Sequence, residues 1–464
     1  MKRVSIQSLS PFLAAFLVLV GCDDTPPKVE PDAELGADEL SELDTDLDSD
    51  ESDDMTESSE LEDQPQPDVD TDAPDPSPDQ PDDEVDQDFG DLADVPDVPD
   101  EEELVDPCAP PAAADSLRRV VLSHPYAPGE PAGRLYEVLE LSADGKLSRP
   151  QQFFEMERAL WGEIHFTPNG RIGVVVQDRG TLGVFRFEDD HSVAVVHDGF
   201  SEDFYAGSVV LLSQHELLIV DENWAENGGG IFSAYLGCDG SISDVRKLAS
   251  TKLARGLQPL ANGDFVVAAR DFEGQAPAGS DALLLSLGGS PALLGSVDAF
   301  GDDDAIVSST ALTKDGQYFL LADNSAFSGI DNRVAVVRVD DTSLSAVQVL
   351  GPFVDPAALL CSPFNNAALV LAAEDDAIYA LDYDPALSPP FTLRGELSYL
   401  GGKPLLPTSA AMIARGPLEG RVLVAENVAL RQLQFHPDGS VEDLGAFSFG
   451  EGLEAITGVV GVQP

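Results

Sequence analysis

The chain has 464 residues, with 25 Lys and Arg against 85 Asp and Glu, and a formal net charge of −60. That balance excludes nucleic acid as a partner, because its phosphates need a basic footprint, and excludes electrostatic docking on anionic lipid. The hydrophobic share of 43% is that of a globular protein, but the acid is unevenly spread: residues 23–107 hold 37 Asp and Glu against the single Lys28, a net of −36.

Lys2 and Arg3 open the chain, and Phe12 to Val20 is an unbroken apolar run of nine residues. A bilayer span needs about 20, so this run reads as the core of an export signal. Leu19-Val20-Gly21-Cys22 follows. This tetrapeptide resembles the lipobox of bacterial lipoproteins, in which the signal is cut before a Cys that carries diacylglycerol. The resemblance implies that residues 1–21 are a lipoprotein signal peptide and that Cys22 is the lipidated first residue of the mature chain. Membrane lipid then becomes a partner through the acylated N-terminus, and several acyl chains hold where one is marginal. The implied location is extracytoplasmic, at the outer membrane or cell surface ahead of the inner membrane. Asp23 and Asp24 resemble the inner-membrane retention signal of enteric bacteria.

Residues 22–107 read as a lipidated, acidic, disordered tether. Asp, Glu, Pro and Ser dominate it, Phe89 is its one aromatic, and such a segment cannot bury enough apolar surface to offset its ordering entropy. A flexible coil of that length spans ~50 Å, and self-repulsion extends it. Asp46, Asp48, Asp50 and Glu57 partly match a calcium loop, but Glu51 stands where the sharp turn needs Gly. The run is read as solvated acid with weak, non-specific affinity for divalent cations; no dedicated metal or cofactor is expected.

Composition shifts at Pro107-Cys108, and residues 108–464 form the folded domain. Apolar runs of four to eight residues alternate with Gly, Asn and Asp, which is the signature of strands and turns. One unit recurs as run, turn, run: IHFTPNGRIGVVV from Ile164, VVLLSQHELLIV from Val209 and LQPLANGDFVVAA from Leu257. It returns as TALTKDGQYFLLA from Thr310, LLCSPFNNAALVLA from Leu359 and AAMIARGPLEGRVLVA from Ala410. These units have six internal turns, near Gly170, His215, Gly263, Gly316, Asn366 and Gly420. Seven turns of a second kind lie near Asp144, Asp189, Asp239, Gly288, Asp340, Asp384 and Asp438. A period of roughly 50 residues with four short strands each predicts an all-β, seven-bladed propeller. The one missing internal turn is explained by Ile456–Val462, an orphan apolar segment at the C-terminus that is predicted to complete the first blade. Strands within a blade are labelled A to D from the channel outward.

The stretches FTPNGRIGVVV and FHPDGSVEDL resemble the lactonase-like and YVTN-type seven-bladed propellers, over about residues 115–464. That resemblance implies a fold and not an activity.

Loops B–C and D–A should emerge at one end, where propellers take ligands. The B–C loops are polar, and His124 is placed in the first of them. The candidate ligand face comprises Glu163, His165, Asp221, Asn223, Arg255, Asp271, Asp323, Glu374, Glu426 and Glu454. Arg255 is expected between Glu163 and Glu454. The competing reading makes the recurrent carboxylates backbone caps and turn formers. No catalytic residue is assigned, because the nucleophile-elbow, Cys-x-x-Cys, zinc-protease and P-loop motifs are all missing from the sequence. Cys108 and Cys238 are expected on the opposite end as a disulfide, and Cys361 in an inner strand as a small apolar residue. The reading favours a monomeric binding or interaction module engaging an envelope protein or small polar ligand. A lactonase-like hydrolase and an envelope-assembly scaffold are its alternatives.

Overall fold

The computed structural model describes residues 108–109, 117–222, 229–301, 305–324 and 332–464. Cys22, the acidic segment 22–107 and Asn223 lie outside the described residues.

Seven four-stranded antiparallel sheets form an all-β propeller. Blade 2 runs Ile164–Phe166, Ile172–Val176, Leu182–Phe187 and Val193–Phe200 as strands A to D, and the others repeat it. Every recurring unit of the sequence is an A–B hairpin, such as Val307–Leu312 with Tyr318–Asp323 in blade 5 and Ser409–Met412 with Arg421–Glu426 in blade 7.

The apolar runs are continuous because each sheet is covered on both faces. Seven hydrophobic clusters lie one at each blade boundary. In blade 1, strand Leu117–His124 sends Val120 and Leu122 toward blade 7, and Val121 toward blade 2. Strand B therefore has no polar side to alternate with. The outermost strands, such as Ser343–Phe353, mix exposed and buried positions, as expected where one edge meets water.

Ring closure follows the prediction. Val460–Val462 adds to the inner edge of blade 1, pairing Val460 with Leu122 and Val462 with Val120. Gln463 locks the seam: its side-chain oxygen accepts from Arg119 N (2.8 Å), and its amide nitrogen donates to Gly170 O in blade 2 (2.6 Å). Ser123 Oγ donates to Ala159 O (2.6 Å) and accepts from Val459 N (2.9 Å). His124, expected in a polar loop, is instead the last residue of strand B and is buried, with Nδ1 facing Ile456 O and Nε2 facing Glu137 at 3.1 Å each.

The end carrying the A–B and C–D turns holds the Cys108–Cys238 disulfide, with a Cα separation of 4.8 Å. Asn169 Nδ2 donates to Cys108 O (2.7 Å) and Arg171 Nη1 to Ala109 O (3.1 Å), so the segment entering the propeller is pinned beneath blades 2 and 3. A two-stranded ribbon, Thr251–Lys252 with Asp271–Phe272, supplements blade 4, so Asp271 belongs to a strand where an open loop was expected. Cys361 ends strand Pro356–Cys361, where burial pushes its thiol up to about 12 and leaves it a packing residue.

Gly461 crosses the inner strand of blade 2 so closely that a Cβ there would lie 2.5 Å from Ile164 Cβ and from its carbonyl oxygen. Gly461→Ala should therefore destabilise the propeller by about 1–3 kcal/mol, the usual cost of forcing a methyl into a packed site. Urea unfolding measures this; an unchanged midpoint would mean that the closing strand is not seated as described.

Candidate functional site

Strand A runs away from the ligand end and strand B returns to it, so B–C loops and D–A linkers share that end. A linker must turn sharply there, and its backbone N–H groups leave the sheet ladders; each needs an acceptor. The carboxylate ending strand B, or just beyond it, supplies one. Leu160 N donates to Asp178 (2.7 Å), Tyr205 N to Asp221 (3.0 Å), Ile306 N to Asp323 (3.0 Å) and Val354 N to Asp375 (3.1 Å). In four blades the acid thus ties the incoming linker to its own blade. Asp271 accepts instead from Phe272 N and Ala276 N, and sits 3.6 Å from Lys252 Nζ.

Arginines neutralise two of the buried members. Asp323 pairs with Arg333 at 3.1 Å. Glu426 pairs with Arg431, which also binds Asp443 (2.5 Å) and donates to Gly402 O (3.0 Å). The structure does not bring Glu163, Arg255 and Glu454 together as one set. Arg255 pairs with Glu222, and burial lowers its guanidinium to about 10. Glu163 is exposed and lies 3.4 Å from His165. Glu454 sits exposed in the short turn Leu453–Ala455, folded back toward Gly452. The physical reason is that each finds a nearer partner: Arg255 turns to Glu222 in the neighbouring loop, and Glu163 to His165 in the strand it leads into.

Three carboxyls are driven toward the neutral form, Glu426 among them because its burial outweighs the pairing with Arg431. Asp281, almost fully buried, accepts from Ala299 N (2.8 Å) and Phe300 N (3.1 Å), yet desolvation outweighs both bonds and raises it to about 6. Asp355 is raised to about 6 by burial and by the charge of Glu374, which is exposed beside it. At the other end, Cys108, His215 and Cys238 bring ligand atoms within 4.8 Å of one another, but the disulfide occupies both sulfurs.

Sequence reasoning missed the apolar element of this end. Of the fourteen exposed large hydrophobics among the described residues, seven lie in D–A linkers: Trp161, Tyr205, Ile306, Val354, Leu400, Leu405 and Leu453. They occupy six of the seven linkers round the ring. Two facts hide them: a lone apolar residue in a short linker has no period, and nothing local tells an exposed one from a buried one.

No protein-family model matches this chain, and no curated protein matches it. Solved structures do. A candidate 6-phosphogluconolactonase from Bacteroides fragilis superposes with a TM-score of 0.55 at 11% identity, over 76% of this chain and 99% of that one. The periplasmic gluconolactonase PpgL of Pseudomonas aeruginosa gives 0.54 at 16%, over 75% and 99%. A candidate 6-phosphogluconolactonase from Bacteroides uniformis gives 0.52 at 12%, over 75% and 99%. At these identities the likeness establishes the propeller fold alone.

Asp281 yields a pH test. Its folded-state value lies above the ordinary 3.8, so its contribution to stability is fully present below about pH 4 and is lost as pH rises through about 6. Asp281→Asn keeps an oxygen for the Ala299 and Phe300 N–H groups and removes the charge. Urea unfolding at pH 4 and pH 7 should show the variant gaining up to about 3 kcal/mol on wild type between the two, from 1.36 kcal/mol per pH unit. Parallel pH profiles for the two proteins would show that Asp281 is ionised throughout.

Proposed function

We propose that this protein is a membrane-anchored, extracytoplasmic propeller lipoprotein that acts as a binding module. The lipobox resemblance at Cys22 and the acidic segment 22–107 support the anchor and its tether. The observation that carries the binding reading is the fate of the carboxylates at the ligand end. A hydrolase needs an acid free to take or give a proton at the reacting atom. Here Asp221, Asp323 and Glu426 are buried and bonded to linker backbone or arginine, while six of the seven D–A linkers hold a large apolar side chain out to solvent.

The second reading, a lactonase-like hydrolase, is favoured by the fold neighbours whose names carry gluconolactonase activity. Glu163 with His165 is the exposed acid–imidazole pair it would use. The two readings separate in one assay. Purified protein incubated with gluconolactone and 6-phosphogluconolactone, with and without divalent cations, should hydrolyse neither above the buffer rate. Turnover that falls at least tenfold in Glu163→Gln would establish the hydrolase and overturn the binding module.

Anchorage is checked independently. Cys22→Ala should move the protein from the membrane fraction to the soluble fraction, or leave its signal uncleaved. Wild-type protein whose N-terminus lacks lipid by mass spectrometry would refute the anchor.

A further inference from the structure

Resting on the binding-module reading, we infer that the ligand end of the propeller docks a basic, amphipathic segment of a partner protein. The apolar half of the argument is the placement of Trp161, Tyr205, Ile306, Val354, Leu405 and Leu453. Each lies in the linker that leads into strand A, where the chain passes from the rim of one blade to the channel side of the next. One or two exposed apolar residues on a surface need no explanation; recurrence in six of the seven D–A linkers does. The linkers are not too short or strained to carry polar residues there, since Glu202 and Asp203 stand beside Tyr205 and Glu451 beside Leu453.

Charge complementarity selects the occupant. The exposed acids among those linkers and the adjoining loops include Glu163, Glu202, Asp203, Glu374, Glu451 and Glu454. The exposed bases of the same end are fewer: Arg179, with Lys252 beside Asp271 and Lys403 beside Glu396. Apolar residues collared by uncompensated acid fit a segment whose own apolar side chains are flanked by Lys or Arg. The same collar works against three other occupants. It repels the acidic segment 23–107 of this chain, with its net charge of −36. It repels a second copy presenting the same face, and it repels anionic lipid. The side chains suit a protein interface. Trp161 and Tyr205 are of the types that most often anchor one, and Leu405 and Leu453 add area without a polar group to desolvate.

Trp161 is also the reporter. The chain has two Trp, so Trp224→Phe leaves Trp161 as the single indole in the full-length protein. Three synthetic peptides serve as probes: an amphipathic Leu/Lys helix, a Leu/Glu helix of the same pattern, and a Ser/Lys peptide of the same charge. The Leu/Lys peptide should shift Trp161 emission to the blue and bind with an affinity that weakens as salt rises. The combined variant Leu405→Ser, Leu453→Ser should weaken binding at least tenfold, and Glu163→Gln, Glu454→Gln should flatten the salt dependence. All four positions are exposed, and melting temperatures equal to the parent's would confirm that the folds are intact. Equal binding of the Ser/Lys peptide would reduce the interaction to ion exchange on an acidic surface and overturn the proposal. Equal binding of the Leu/Glu peptide, or a Trp161 shift with zwitterionic vesicles and none with peptide, would overturn it too, the latter in favour of a lipid surface. These results leave the lactone assay unchanged, so failure of the docking site and failure of the binding-module reading can be told apart.

Discussion

Burial of each blade on both faces is the constraint on which everything else in this molecule depends. A four-stranded sheet flanked by water on one side would alternate polar and apolar residues; the B strands here carry unbroken apolar runs buried on both faces, so each sheet needs a neighbour on either side. That requirement has no end in an open array. It is met when the last blade packs on the first, and the cluster joining Leu423 and Leu430 to Leu122 and Leu139 is the joint. The strand Val460–Val462 turns that joint into a hydrogen-bonded one, because the first blade is built from both ends of the domain. Gly461 and Gln463 are small details by comparison, yet they fit only if the ring is closed: one allows the strand to cross Ile164, the other bridges blades 1 and 2.

This constraint also sets how much could be read from sequence. The A–B hairpins and the orphan C-terminal segment were legible because double-sided burial writes itself as unbroken apolar runs, and seven turns of one kind against six of the other demanded a lent strand. The ribbon Thr251–Lys252 with Asp271–Phe272 was not legible, since two residues per strand carry no pattern. The candidate site was legible by position and not by role. Asp221, Asp323 and Glu426 do sit at the predicted end, but a carboxylate bonded to linker N–H groups and one poised for a ligand look alike in sequence; only the partner atoms distinguish them. Arg255 illustrates the same limit, for its pairing with Glu222 depends on how one linker folds beside the neighbouring loop.

The two ends of the propeller have divided their chemistry. At one end, Cys108–Cys238 and the bonds from Asn169 and Arg171 fix the point where the preceding chain enters. In the chain-entropy picture a cross-link over 130 residues is worth up to about 5 kcal/mol. The B–C loops and D–A linkers lie at the other end. With the anchor proposed at Cys22, a pull on the preceding chain would be borne by the disulfide and the A–B turns.

Exposing apolar side chains round one end of a closed ring carries a liability, because such surfaces associate indiscriminately. The distribution of acid answers it. Buried carboxylates at that end are neutralised by backbone N–H groups or by Arg333 and Arg431, so they stabilise the linkers and add little to the outward field. Exposed ones such as Glu202, Glu374 and Glu454 have no Lys or Arg partner among the described residues and share the linkers and loops of that end with the apolar side chains. Two copies brought face to face would have to desolvate like charges before their apolar residues touched, whereas a basic partner gains from the same contact. Discrimination of this kind comes from a penalty on the wrong partner more than from extra affinity for the right one. A strongly acidic chain, at a net charge of −60, can therefore expose apolar side chains at one end and still admit contact there only from surfaces of opposite sign.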